Sequence, residues 1–206
     1  MEFDIIEQTA NLLEKTGKKY VFTGKTKTYG GRDLRQISRV SDGIIGGWIE
    51  NVQNLSQTGE CFVYDSAMVW GNGRVSEDAR ILGKAKVYGS ADVYGSVQIS
   101  GSVEVFGRAK VWGAAELLGE VQIYGDSEVY GSAVVSGYCL IHDNAKVYGG
   151  ASLTESVEVS RSAKIYGSAT VSGTTTVTDN AEIYGSAVVT GQSRIEGDAK
   201  LSGTVK

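Results

Sequence analysis

The only histidine of the chain, His142, is the residue whose chemistry would best suit catalysis. An imidazole changes charge near neutral pH and serves as a general base in many transfer reactions. A general base also needs an orienting partner and a pocket, and no inserted loop near His142 supplies either. Asp143 stands where most repeats have glycine, so we expect it to form a corner. We therefore interpret His142 as a surface ring, and keep a catalytic role for it only under an enzyme alternative.

Other chemical motifs are absent from the sequence. It has no metal-ligand spacing, no CxxC pair and no nucleophile elbow, and its glycines follow a regular period that differs from a phosphate-binding loop. Cys61 and Cys139 are 78 residues apart, and we expect both to be buried free thiols. The sequence thus predicts no catalytic residue, no metal and no cofactor.

The period of those glycines is six residues. Val, Ile or Leu recurs in 24 consecutive hexads from Val63 to Leu201, with a small residue two positions before it and Gly two positions after it in 18 hexads. Alternate strand residues share a face, so the small and aliphatic residues both point into a core while the residue after the aliphatic points outward. Glycine then allows a corner with positive φ.

Six hexads lack this glycine. Asp65, Asp143 and Asp179 should adopt the same left-handed conformation, which aspartate tolerates better than most residues. For the remaining three we expect locally different corners, or corners whose geometry does not demand glycine: Glu77, Glu155 and Arg161.

Strands of about four residues with two-residue corners, repeated without insertions, indicate a triangular prism with three hexads per coil. The sequence therefore predicts an all-β fold, a single-stranded parallel β-helix of about eight coils over residues 61–206. Residues 1–60 form a small α+β N-terminal cap in this interpretation. It contains an amphipathic helix over residues 2–16, strands at 20–22 and 34–40, and a turn at Gly30-Gly31.

Three hexads per coil place outward residues 18 apart in vertical columns. The first column, which we call column A, is aromatic in its first half: Trp70, Tyr88, Phe106, Tyr124, His142, Ser160, Thr178, Glu196. Column B is aromatic over six coils: Ser76, Tyr94, Trp112, Tyr130, Tyr148, Tyr166, Tyr184, Ser202. The third column, from Tyr64 to Thr190, is mixed. The rings form either a stabilising ladder or a binding surface for partner chains, and the sequence leaves both open.

The N-terminal module carries a basic segment. Residues 15–39 hold eight Lys and Arg against one acid, whereas the whole chain has a net charge of -4. Solvated charges on a cap explain this better than nucleic-acid binding, so we do not expect a nucleic-acid partner. The first 19 residues resemble neither a signal peptide nor a membrane span. We expect a cytoplasmic or virion-associated protein without a membrane partner.

The stretches LRQISRVSD, GGWIE and NLSQTGECFVYDSAMVWG resemble the entry module of YdcK-like hexapeptide-repeat proteins, which occur in bacteria and are similar to phage-borne proteins. The resemblance implies a left-handed β-helix. Such proteins are often labelled transferases, because left-handed β-helices include acyltransferases that use a histidine base between the chains of a trimer. Here the order Val-Tyr-Gly-Ser-Ala places glycine one position later than the common acyltransferase repeat.

We therefore expect a non-enzymatic structural or binding protein that presents its aromatic faces to partner chains or proteins, as a trimer or other homo-oligomer. The first alternative is an acyltransferase-like enzyme. The second is a phage-encoded module that sequesters a small-molecule ligand.

Overall fold

The computed structural model describes residues 17–205. Within that range the chain is all-β apart from one short 3-10 helix, Val52–Asn54. Strands β1 (Tyr20–Tyr29) and β2 (Arg32–Arg39) form an antiparallel hairpin. The turn between them is Gly30-Gly31, as the sequence predicts. The predicted helix over residues 2–16 lies outside the described residues.

Strand β3 (Ile45–Ile49) joins this hairpin to a β-solenoid. It pairs antiparallel with β2 on one side and parallel with Met68–Val69 on the other. The hairpin therefore continues one face of the solenoid and covers the exposed edge of β3, which would otherwise offer unpaired backbone groups.

The solenoid has three parallel sheets, one on each face of the prism. Face A begins with β3 and continues through Met68–Val69, Lys86–Val87, Glu104–Val105, Gln122–Ile123, Leu140–Ile141, Glu158–Val159, Thr176–Val177 and Arg194–Ile195. Face B consists of Arg74–Val75, Asp92–Val93, Lys110–Val111, Glu128–Val129, Lys146–Val147, Lys164–Ile165, Glu182–Ile183 and Lys200–Leu201. Face C consists of Phe62–Val63, Arg80–Ile81, Gln98–Gly101, Glu116–Gly119, Val134–Gly137, Ser152–Leu153, Thr170–Val171, Val188–Val189 and Thr204–Val205.

Neighbouring strands pair residues 18 apart, as Val87 and Val105 show, except at the two ends of the solenoid, where the offset is 20 between Ile49 and Val69 and 16 between Val189 and Val205. The predicted three-hexad coil is therefore confirmed. The structure has about nine coils, one more than the hexads alone indicate. The additional first coil uses Ile49, Leu55 and Val63, and so draws on the N-terminal module.

The interior is apolar along the whole solenoid. Up to Val189, each small residue and the aliphatic residue two positions later are buried together, as with Ala85 and Val87, both 0% exposed. Where the small residue carries a hydroxyl, it donates to the carbonyl three residues earlier: Ser127 to Tyr124 and Thr175 to Ser172, each at 2.8 Å. A buried hydroxyl with a partner avoids the cost of an unpaired polar group. Both cysteines are free and buried, as expected.

The corners repeat one conformation throughout the hexads up to Gly197. Asp65, Asp143 and Asp179 have positive φ like the corner glycines, which confirms the prediction for aspartate. Glu77, Glu155 and Arg161 also adopt φ of 57–69°. Of the two alternatives for these positions, different corners are therefore wrong, and a corner that does not demand glycine agrees with the structure. Inter-coil hydrogen bonds on both sides hold the corner in place, and they outweigh a left-handed strain of about 1–2 kcal/mol per residue.

Corner glycines also allow the coils to approach closely. A Cβ atom at Gly173 would overlap with the Gly191 carbonyl oxygen, whereas a Cβ at Gly191 would meet nothing within 4 Å. The two residues have nearly equal φ, 80° and 81°. Substitutions at these two glycines therefore distinguish the backbone strain of a corner from the steric cost of a Cβ atom between stacked coils.

We expect Gly191→Ala to destabilise the protein by about 1–2 kcal/mol through backbone strain alone. Gly173→Ala should cost clearly more, because its Cβ must also displace the next coil. Denaturant unfolding of the two variants beside the wild type measures the difference. Equal losses of stability would show that coil spacing does not constrain this corner.

Candidate functional site

Column A forms a continuous stack of rings. Its centroids are 4.4 Å apart between Trp70 and Tyr88, 4.9 Å from Tyr88 to Phe106 and from Phe106 to Tyr124, and 5.0 Å from Tyr124 to His142. Neighbouring planes deviate by at most 9°. The structure thus places His142 as the fifth ring of a ladder, as the sequence predicts.

Column B is longer by one ring. Its six members stack at centroid distances of 4.3–5.8 Å, with planes within 15° of parallel. They are Tyr94, Trp112, Tyr130, Tyr148, Tyr166 and Tyr184. These spacings follow the distance between adjacent parallel strands, about 4.8 Å, so the backbone sets the stacking.

The stacking decides which parts of the rings a partner could reach. Interior rings have both faces covered by neighbours, and every ring in the two columns is half-buried. The ring edges and the tyrosine hydroxyls are what remain at the surface. The two columns therefore present narrow amphipathic stripes, one on face A and one on face B.

A carboxylate in the next coil holds three of these rings by their polar atoms. The Tyr88 hydroxyl donates to Glu104 at 3.1 Å, and the Tyr166 hydroxyl donates to Glu182 at 2.9 Å. Burial, followed by the Glu104 carboxylate, raises the pKa of Tyr88 to about 12. The hydrogen bond to Glu182 is the main cause that raises the pKa of Tyr166 to about 12.

His142 follows the same pattern and adds a second carboxylate. Its Nε2 lies 3.3 Å from Glu158 Oε1, and its Nδ1 lies 3.3 Å from Asp143 Oδ2. Asp143 forms the expected corner, with φ of 59°, and yet its carboxylate turns back to the imidazole. The same oxygen accepts the Arg161 amide at 3.0 Å, which is the main cause that lowers the Asp143 pKa.

This geometry corrects one expectation, because His142 does have orienting partners. Four recesses lie beside the N-terminal module and the first three coils, and His142 lines none of these four. The imidazole side chain is only 16% exposed, and both of its nitrogens already face carboxylates. These contacts fix the orientation of the His142 ring within the ladder, and they leave neither nitrogen free to accept a proton from a substrate.

The basic segment contacts its own module. The Arg35 guanidinium lies 3.8 Å from the Phe22 ring centroid, and Lys27 Nζ lies 4.4 Å from that of Trp48. Arg39 pairs with Asp42 at 2.7 Å. These cations stabilise the hairpin and its junction with the first coil through cation–π contacts and an ion pair.

No protein-family model matches the chain, and no curated protein is similar to it in sequence. Within residues 17–205, no three His, Cys, Asp or Glu side chains are grouped as metal ligands. None of the helices described is long and apolar enough to cross a membrane.

Sequence reasoning missed the partners of the rings. Tyr29 of the hairpin packs on Trp70, with centroids 5.5 Å apart, and closes the upper end of column A. No repeat contains Tyr29, so periodicity could not find it. The carboxylates were detectable: Glu104, Glu158 and Glu182 each follow their ring by 16 residues, the offset of a same-face neighbour one coil away.

The Tyr166–Glu182 bond predicts a shift in tyrosine titration. Glu182→Gln should lower the Tyr166 pKa from about 12 toward 10. Because the folded pKa lies above the unfolded one, this stabilisation is complete below about pH 10 and is lost as the pH rises through about 12. NMR of ring-labelled tyrosine measures the titration, with Tyr88 as the internal control. An unchanged Tyr166 pKa would contradict the assignment.

Proposed function

We propose that this chain is a non-enzymatic structural or binding protein whose two aromatic faces bind partner chains, in the first instance further copies of itself. The observation that supports this is the pair of ladders. Eleven rings present apolar edges and hydroxyl groups along two faces of one rigid solenoid. Continuous exposed stripes of this kind are typical of interaction surfaces, where tyrosine and tryptophan are enriched at positions that dominate affinity.

Rigidity supports the same proposal. The rings are fixed by stacking and by carboxylates, so binding a partner would cost little side-chain entropy, and pre-organised surfaces bind more tightly for the same area. In a cyclic trimer, which is the first expectation, the interfaces are heterologous, so one aromatic stripe of each chain would contact a different surface of the next chain. The resemblance to YdcK-like hexapeptide-repeat proteins, with its implied left-handed coil and phage-related members, agrees with a structural role and remains a prediction.

The proposal predicts that association depends on the ring faces. The double variant Tyr130→Arg and Tyr148→Arg places two charges on column B, and should weaken self-association at least about tenfold. The matched control, Ser136→Arg and Thr154→Arg, places the same charges on face C at nearby coils. Sedimentation velocity of both double variants and the wild type measures association, and circular dichroism checks folding.

A wild type that stays monomeric at micromolar concentrations would contradict self-association through these faces. Loss of the oligomer in the face C control alone would assign the interface to face C instead.

A second candidate is an acyltransferase-like enzyme, and the two carboxylates beside His142 are the observation that favours it. A carboxylate at Nδ1 orients an imidazole for proton transfer in many acyl transfer sites. Against it stands the position of the ring within the ladder, where it stacks on Tyr124 and its side chain is only 16% exposed.

His142→Phe separates the two candidates, because phenylalanine keeps a stacking ring and removes the base. If His142 belongs to the ladder, the variant should melt within a few degrees of the wild type and retain its oligomer. If His142 is a general base, the wild type should hydrolyse or transfer an acyl group from acetyl-CoA, and the variant should lose that activity by at least about a hundredfold.

A further inference from the structure

The ladders leave four ring faces without a ring neighbour from their own column, one at each end. Tyr29 covers the upper face of column A, where it packs against Trp70. At the lower end of column A, the next positions hold Ser160 and Thr178, which are buried and hydrogen bonded to each other at 3.0 Å. The upper end of column B is different, because the coil above Tyr94 has Ser76 at the ring position and a recess opens beside it.

This recess has a volume of about 520 Å³. The first coil contributes Val52, Gln53, Leu55, Ser56 and Gln57 to its lining, the second contributes Arg74, Val75 and Ser76, and the third contributes Asp92 and Tyr94. Small-molecule sites commonly enclose about 300–1,000 Å³. The recess is therefore large enough for a bicyclic ring and part of a substituent.

Ser76 stands at the column B position where the next six coils carry an aromatic ring. Val75 pairs with Val93, so Ser76 lies one coil above Tyr94, just as Tyr94 lies one coil above Trp112. Stacked rings in this column repeat every 4.3–5.8 Å. A planar molecule beside the small Ser76 side chain would lie at stacking distance from the open face of Tyr94.

The lining also carries hydrogen-bonding groups, and two of them, Arg74 and Asp92, are register partners on adjacent strands. Arg74 offers guanidinium donors, Asp92 offers carboxylate acceptors, and Gln53 offers both. A purely hydrocarbon ring would make no hydrogen bond with these groups. A purine base matches them, because its edges carry donors and acceptors in its own plane and its bicyclic face gives the larger stacking area. Val52, which is 52% exposed, supplies an apolar wall.

We propose that this recess binds a purine base, which stacks on Tyr94 and occupies the ring position left open at Ser76. The site uses a ring face within one chain and is independent of the ring edges that the proposed function assigns to partner chains. It therefore stands or fails separately from that function.

Isothermal titration of the full chain with adenosine and with guanosine tests the proposal, and ribose serves as the probe without a base. Ser76→Tyr supplies the missing ring from the protein itself. This variant should lose binding by about ten- to a hundredfold, the usual effect of one base–aromatic stack. Its melting temperature should also rise, because the ladder gains a stacked pair.

Ser202→Tyr is the matched control at the opposite end of the same column. It adds a ring next to Tyr184 and leaves the recess unchanged, so it should bind the nucleoside like the wild type. If Ser76→Tyr fails to fold, Tyr94→Leu carries the same test by removing the stacking face, with Tyr184→Leu as its control.

Saturable binding to the wild type that is lost in Ser76→Tyr or Tyr94→Leu and kept in the two controls supports the site. The absence of binding by either nucleoside, or binding that survives both recess variants, would overturn it. Equal binding of ribose would overturn it as well, because the purine base would then contribute nothing to the affinity.

Discussion

The spacing between stacked coils is the constraint on which the rest of this structure depends. Parallel strands hydrogen bond at about 4.8 Å, and a repeat of 18 residues returns every side chain to the same place one coil further along. The interior must then accept one small and one aliphatic residue per face. The corners must turn with positive φ, and at many of them the backbone of the next coil lies where a Cβ would be. A change of coil spacing at one point would disturb the inter-coil hydrogen bonds, the packing of the interior and the conformation of the corners together.

The same spacing is close to the preferred distance between stacked aromatic rings, which explains the two ladders. Each of the nine stacked pairs contributes about 0.5–1.5 kcal/mol beyond its buried area. Six corners are occupied by residues other than glycine and reduce this stabilisation, because each carries a backbone strain of about 1–2 kcal/mol. Three of these, Asp65, Asp143 and Asp179, recover part of the cost, because their carboxylates accept the backbone amide of the next corner at 3.0 Å.

The functional interpretation follows from which atoms stacking leaves available. Ring faces inside a ladder are covered, so ligands cannot intercalate there without separating the coils. Ring edges remain for partner chains, and a ring face remains open only where a column ends. His142 illustrates the difference between a residue suited to chemistry and a site suited to it: two carboxylates orient the imidazole, but the ring lies within the ladder and is only 16% exposed. A binding role on the faces is the simpler account of this geometry.

The sequence by itself determined the period, the inward residues, the coil of three hexads and the members of both columns, because each follows from strand alternation and an unbroken repeat. It also indicated the hairpin through Gly30-Gly31. The tertiary structure decided what no period contains. It showed that Ile49 and Leu55 begin an additional coil, since their pairing partners Val69 and Val75 lie 20 residues away instead of 18. It placed Tyr29 on Trp70 and turned Asp143 toward His142, and it kept Glu155 in the same corner as glycine. Local propensity could not foresee these outcomes, because they depend on hydrogen bonds and packing from neighbouring coils that outweigh the preference of the individual residue.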